Sequence, residues 1–209
     1  GGTGRICPSM SPKQARQILD AHSPPGEGWP LHCRQVAKVT RLVSDSLTAI
    51  GANLNSDDLE AQALLHDIGR VQTHGVMHGW AGFTLLRSLG HESVARACLT
   101  HWFKGRDESE LRASGRLKES FINNLFSALN PPEWTLGDSV ISFADSCVKH
   151  ATIVSLNDRH ADLIERYGDS SWMRRANELA VQHGEELSST LGQPVENLVS
   201  PFYGDTLHA

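Results

Sequence analysis

Eleven histidines in a chain of 209 residues are an unusual supply of imidazole, and several stand where a side chain turns inward. The run Ala63-Leu64-Leu65-His66-Asp67-Ile68-Gly69-Arg70 puts an adjacent His and Asp at the end of an apolar helix, immediately before glycine. His32 lies near the start of an amphipathic helix, on its apolar face. His78 opens a helix in the pattern His78-x-x-x-Gly82, and His101 ends one in Leu99-Thr100-His101-Trp102. Asp145 sits on an apolar face in Ile141-Ser142-Phe143-Ala144-Asp145. A carboxylate buried in such a face without a partner costs several kcal/mol, so it needs a cation or strong donors. Four imidazoles and two carboxylates on inward faces of separate helices are what a transition-metal site requires. Imidazole suits iron, zinc, manganese, cobalt or nickel, and the carboxylates add hard oxygen ligands.

In order along the chain these residues read His … His-Asp … His … His … Asp, and here the sequence resembles the HD-domain superfamily of metal-dependent phosphohydrolases. The run Leu64-Leu65-His66-Asp67-Ile68-Gly69 is close to that family's central motif. Thr73-His74-Gly75-x-x-His78-x-x-x-Gly82 is similar to a subgroup of small single-domain members. The resemblance covers roughly residues 30 to 150. It implies that His32, His66, Asp67 and Asp145 hold a first metal, and that His78 and His101 complete a second with Asp67 bridging. The implied cofactor is a pair of divalent transition metal ions, iron first, then manganese, with zinc, cobalt or nickel as alternatives. In such a site a water loses its proton near neutral pH and attacks, while the metals orient and neutralise a phosphate oxygen.

Asp67, Arg70 and His74 are therefore the expected catalytic residues. Arg70 could grip phosphate in bidentate fashion or cap a helix C-terminus. His74, four residues before His78, is expected behind the ligands, with His78 taking the metal. Arg70, His74, Lys104, Arg106 and Lys149 are the expected substrate contacts. Lys149 follows Asp145 by one helical turn and would share its face. Against this, Lys104 and Arg106 also read as an ordinary solvated loop. Trp29 and Trp102, which flank ligands, read as core packing. Cys33 and Cys147 neighbour ligands in sequence but are not expected to ligate. His22, His91, His160, His183 and His208 have no supporting context.

The elements that must position these groups read as helices. Ser11 and Pro12 open one over residues 11 to 22. The run Ser23-Pro24-Pro25-Gly26-Glu27-Gly28-Trp29-Pro30 breaks regular structure. A long helix over 31 to 50 aligns His32, Val36, Val39, Val43 and Leu47 on one face. Ser56 caps the next, which carries His66 and Asp67 and stops at Gly69. Helices over 78 to 89, 93 to 103, 117 to 129 and 136 to 154 follow, with 104 to 116 as a charged loop or lid. One or two more fill 158 to 192. No run reads as a strand. The expectation is all-α: a single HD-domain helical bundle of about seven to nine helices. Its core would span 30 to 155, with 104 to 135 as a substrate-side insertion and 156 to 209 as a C-terminal helical extension.

Composition sets the outer limits. Hydrophobic residues are 39% and charged residues 21%, with a net charge of −5, which fits an ordinary globular protein. A mildly acidic chain promises no dense basic face for double-stranded nucleic acid, though it leaves room for a local basic pocket. No window is long and apolar enough to cross a bilayer, and Gly1 to Pro8 lacks a signal-peptide core. Cys7, Cys33, Cys98 and Cys147 are scattered, which favours free thiols and a cytoplasmic location. The expected partner is a small phosphorylated substrate or nucleotide, with no membrane. Three functions compete on the same residues. The first is a metal-dependent phosphohydrolase. The second is a mixed-valent diiron oxygenase cleaving an inositol-like or organophosphonate substrate with O₂, as a branch of the resembled superfamily does. The third is a non-catalytic nucleotide-binding signalling module.

Overall fold

The structure is a computed structural model that describes residues 10–209. The glycine-rich start and Cys7 lie outside the described residues. The architecture is all-α. Among the described residues there are eleven α-helices and a single two-stranded sheet of four residues.

Helix α1 (Pro12–Ala21) starts at Ser11, whose hydroxyl accepts the Gln14 N–H while the Gln14 side chain returns to the Ser11 N–H. Helix α2 (Trp29–Ala49) is the central rod. His32, Val36, Val39, Val43 and Leu47 are all buried along it, as the spacing predicts. It packs against α3 (Ser56–Leu65) on one side and later helices on the other. Burying Val or Leu stabilises by about 1.5–3 kcal/mol each, so a charge at Val43 would break this stripe. The cap of α3 is Asn55, not Ser56: the Asn55 side chain accepts the Asp58 N–H at 3.0 Å. The Ser56 hydroxyl instead pairs with Ser44 on α2 at 2.7 Å.

Helix α3 ends at Leu65, earlier than Gly69. His66 is its C-cap, and a 3-10 turn over Ile68–Val71 follows. That turn lies against α4 (His78–Ser88), and the approach is extremely close. A Cβ on Gly69 would stand 1.8 Å from the His78 carbonyl oxygen. A Cβ on Gly82 would stand 3.0 Å from the Gly69 nitrogen. Helix α4 then crosses α5 (Arg96–Phe103) equally closely, since a Cβ on Gly79 would meet the Cys98 carbonyl oxygen at 2.6 Å. Three glycines thus let two helices and a turn approach backbone to backbone.

The segment read as a loop contains helix α6 (Glu108–Ala113), capped by Asp107, which accepts the Glu110 N–H at 2.7 Å. Leu111 is fully buried and holds it down. This helix and α11 (Glu196–Val199) carry the count above nine. Helix α7 (Glu119–Ala128) precedes α8 (Leu136–Ser146), which has a Thr135/Asp138 capping box. Asp138 also takes a bidentate Arg96 at 2.9 and 2.8 Å, tying α8 to α5.

Helix α8 does not run on to Val154. It stops at Ser146, and Val148–Lys149 (β1) pairs antiparallel with Thr152–Ile153 (β2). The segment is rich in β-branched residues, which favour a pleated backbone over a helix. The C-terminal tail completes the ladder, with the Asp205 carbonyl accepting the Ile153 N–H at 2.9 Å. Helices α9 (Leu156–Tyr167) and α10 (Ser171–Leu191) follow. No helix among the described residues is long and apolar enough to cross a membrane. Cys33, Cys98 and Cys147 are free and buried.

Candidate metal centre

His66 and Asp67 enter the centre from the end of α3, His32 from the first turn of α2, His78 from the start of α4, His101 from α5 and Asp145 from the last turn of α8. The structure brings these six side chains together. Asp145 Oδ1 lies 2.8 Å from His32 Nε2 and 3.4 Å from His66 Nε2. Asp67 faces both halves of the group. Its Oδ2 is 3.8 Å from His32 Nε2 and 3.6 Å from His66 Nε2. Its Oδ1 is 3.2 Å from His78 Nε2 and 3.1 Å from His101 Nε2.

All four rings are oriented the same way. His32 Nδ1 donates to the His150 carbonyl at 2.7 Å, and His66 Nδ1 to that of Ala63 at 2.6 Å. His78 Nδ1 donates to the Gly75 carbonyl at 3.0 Å, and His101 Nδ1 to that of Ala97 at 2.8 Å. A carbonyl oxygen can only accept, so each Nδ1 carries the proton. In the neutral ring each Nε2 then presents a lone pair inward, the tautomer a metal ligand needs. His66 Nε2 and Asp67 Oδ1 are buried with no hydrogen-bond partner. A packed interior rarely leaves such atoms orphaned. The centre thus concentrates acceptors and lacks donors, a donor set compatible with divalent metal.

Without an ion, the buried carboxylates and imidazoles stabilise one another's charges. Burial, the largest influence on Asp67, would raise its pKa, yet His66, His101 and His78 hold it well below the usual carboxylate range. Asp145 is likewise held low by His32 and His66 against burial. For His66, burial opposes the charge, but Asp67 and Asp145 draw its pKa well above the ordinary imidazole value. His101 is pushed down, by burial first. Cys33 was not expected here, yet its sulfur lies within ligand reach of His66 and Asp67. Burial raises its pKa and favours the neutral thiol.

The centre opens into a cavity of about 840 Å³. Arg70 lines it, its Nε 3.4 Å from Asp67 Oδ2. Lys104 and Arg106 also line it, and the solvated-loop reading fails for both: they are buried. Lys104 Nζ donates to the hydroxyls of Ser146 at 2.7 Å and Ser142 at 3.1 Å. Burial lowers its pKa to about 8, against the pull of Asp145. His74 is exposed at the mouth, 3.5 Å from Glu27, and makes no hydrogen bond to a ligand. Lys149 does not share a face with Asp145. It stands on β1, ion-paired with Asp162 at 3.6 Å, outside the cavity lining.

Trp29 and Trp102 are walls of this cavity as well as packing. Sequence reasoning missed Arg159, on α9, which is mostly buried among the lining residues. Burial lowers its pKa, while Asp145, Asp162 and Asp67 oppose. His160 lines the cavity too. Their signal was one face of a helix beyond the metal motif, with nothing in the spacing to say that it turned inward. His183 is buried elsewhere, stacked on Trp134 with centroids 4.8 Å apart.

The model of the family described as "HD domain" matches residues 31–149. An uncharacterized protein of Methanocaldococcus jannaschii is 26% identical over 128 residues, 61% of this chain and 70% of that protein. A tRNA (cytidine(56)-2'-O)-methyltransferase of Picrophilus torridus is 27% identical over 139 residues, 66% of this chain but 36% of the methyltransferase. This chain therefore spans only about a third of that relative. No solved structure matches.

Proposed function

The chain belongs to the HD-domain family, and from that premise we propose that it is a metal-dependent phosphohydrolase acting on a small phosphate ester or nucleotide. The observation that carries the reading is the double-faced Asp67. One oxygen turns to His32 and His66, which Asp145 also faces, and the other to His78 and His101. His32, His66, Asp67 and Asp145 would hold one divalent ion, and Asp67, His78 and His101 a second. When bound, such a pair supplies Lewis-acid activation of water and charge neutralisation at a phosphate oxygen.

The chain's own residues do the rest. The four backbone carbonyls behind the rings hold each Nε2 inward. Arg70 and Arg159 add fixed positive charge beside the carboxylates, placed for the non-bridging oxygens of a phosphate. Lys104 is held by Ser142 and Ser146 on the Asp145 side of the cavity, within the low-dielectric wall where its charge counts most. His74 at the mouth is placed to exchange a proton with solvent.

The test is metal analysis of protein purified without added metal, followed by a panel of phosphate esters with iron, manganese, cobalt or nickel. Turnover by metal-replete protein and its loss with chelator are the expected results. Metal-replete protein that turns over no ester would refute the reading. Substrate-dependent oxygen uptake with a mixed-valent iron EPR signal would transfer the site to oxygenase chemistry on the same ligands. Stoichiometric nucleotide binding without turnover would mark a signalling module.

A further inference from the structure

The cavity is far larger than one phosphate, and its cations are unevenly satisfied. Six line it: Arg70, Lys104, Arg106, Arg116, Arg159 and Arg166. Arg70 has Asp67, and Arg159 and Arg166 share Asp162. Lys104, Arg106 and Arg116 pair with no carboxylate among the described residues. All three come from one thirteen-residue stretch and face the same space as the metal centre.

Arg106 is the sharpest case. It is 2% exposed. Its guanidinium lies 3.5 Å from the centroid of Trp172, and one nitrogen donates to the Trp172 carbonyl at 2.9 Å. Arg116 stands over the same ring at 4.7 Å. The nearby carboxylate, Glu110, is engaged by Arg175. A buried guanidinium without a counter-charge is costly to maintain, and burial lowers its pKa to about 10. Two guanidiniums and an indole therefore form a cationic, flat-walled end to the cavity. Trp172 belongs to α10, beyond the 31–149 stretch that carries the family pattern.

We propose that the Arg106–Trp172–Arg116 end is a second anion subsite, and that the substrate is an organic bis-anion. One phosphate would sit at the metal centre, and a second phosphate or carboxylate at this end. The inference rests on the phosphohydrolase reading for what happens at the first anion, but not for the existence of the second site.

The experiment uses non-hydrolysable probes, so binding is read without turnover. α,ω-Alkane bisphosphonates of increasing chain length are compared with alkyl monophosphonates of the same length, by tryptophan fluorescence and calorimetry on metal-replete protein. A bisphosphonate of matching length is expected to bind about tenfold to a hundredfold more tightly than its monophosphonate, the range that charge-assisted hydrogen bonds supply. In Arg106→Gln and Arg116→Gln that ratio is expected to fall toward one. Arg116 is exposed, so its variant keeps the test valid if Arg106→Gln fails to fold. Equal affinity for mono- and bisphosphonates at every length, or a preference unchanged in Arg116→Gln, would overturn the proposal. The two readings fail separately. Monophosphonate affinity that does not respond to metal removal speaks against the metal centre, whereas a metal-dependent monophosphonate affinity with no bisphosphonate preference in the wild-type protein speaks against the second subsite alone.

Discussion

His78 and His101 meet Nε2 to Nε2 at 3.1 Å, and each ring has already committed its Nδ1 proton to a backbone carbonyl. Two neutral rings so fixed turn lone pair against lone pair. The contact is stable only with a cation or an added proton at that point, and Asp67 Oδ1 lies 3.1 to 3.2 Å from both nitrogens. Chelation is therefore expected to lower the melting temperature, and manganese or ferrous iron to restore it. Binding at a hundred times Kd adds about 2.7 kcal/mol to stability. A melting temperature indifferent to both treatments would contradict the metal centre.

The two halves of the centre share only Asp67, so substitutions should separate them. His78→Ala and His101→Ala are expected to bring bound metal from two ions per chain to one. Asp67→Asn weakens both halves. It is expected to lower ester turnover by more than a hundredfold, above the roughly 10–100-fold typical when only an outer hydrogen-bond partner of a ligand is lost. Elemental analysis beside kcat/KM checks both statements. Two tightly bound ions in His101→Ala would remove that residue from the ligand set.

Much of this was legible because burial and chemistry coincide at these positions. The apolar stripe of α2 carries His32 inward with Val36 and Val39, and the periodicity shows it. Asp145 is conspicuous because a carboxylate has no business on an apolar face without a cation. The strand turn after Ser146 was not legible, since Val148 to Val154 continues an apolar pattern that suits either backbone. It matters, because the His150 carbonyl in that turn holds His32. Nor was the burial of Lys104 and Arg106. Charged, glycine-punctuated sequence reads as solvent-exposed, and only the arrival of α8 and α10 covers it.

The glycine of the central motif has a steric task. With a Cβ, residue 69 would overlap the His78 carbonyl oxygen at 1.8 Å, and backbone cannot swing aside as a flexible side chain can. Gly69→Ala is expected to cost about 2–3 kcal/mol as overpacking and to displace the start of α4, with His78 on it. Denaturant melts measure the first effect and metal content the second. A variant with wild-type stability and two bound ions would show that the close approach of the turn and α4 is not required.

His183 supplies an acid-sensitive element away from the metal centre. Burial, with Lys104 and Arg175 adding to it, lowers its pKa from 6.5 to about 3. Its Nδ1 meets the Ser142 hydroxyl at 2.8 Å, and its ring stacks on Trp134. The folded chain therefore resists a proton that the unfolded chain accepts freely. Where the unfolded state binds more protons, stability rises with pH. The contribution is complete above about pH 6.5 and drains away as pH falls toward 3, at up to about 1.4 kcal/mol per pH unit. In His183→Gln that slope is absent. The difference in stability between wild type and variant, measured by urea melts on chelated protein, is expected to shrink steadily from pH 6.5 downward. Other acid-labile groups, including the candidate metal ligands, are common to both proteins and cancel in the difference. A difference independent of pH across this window would mean that His183 takes up its proton as easily folded as unfolded.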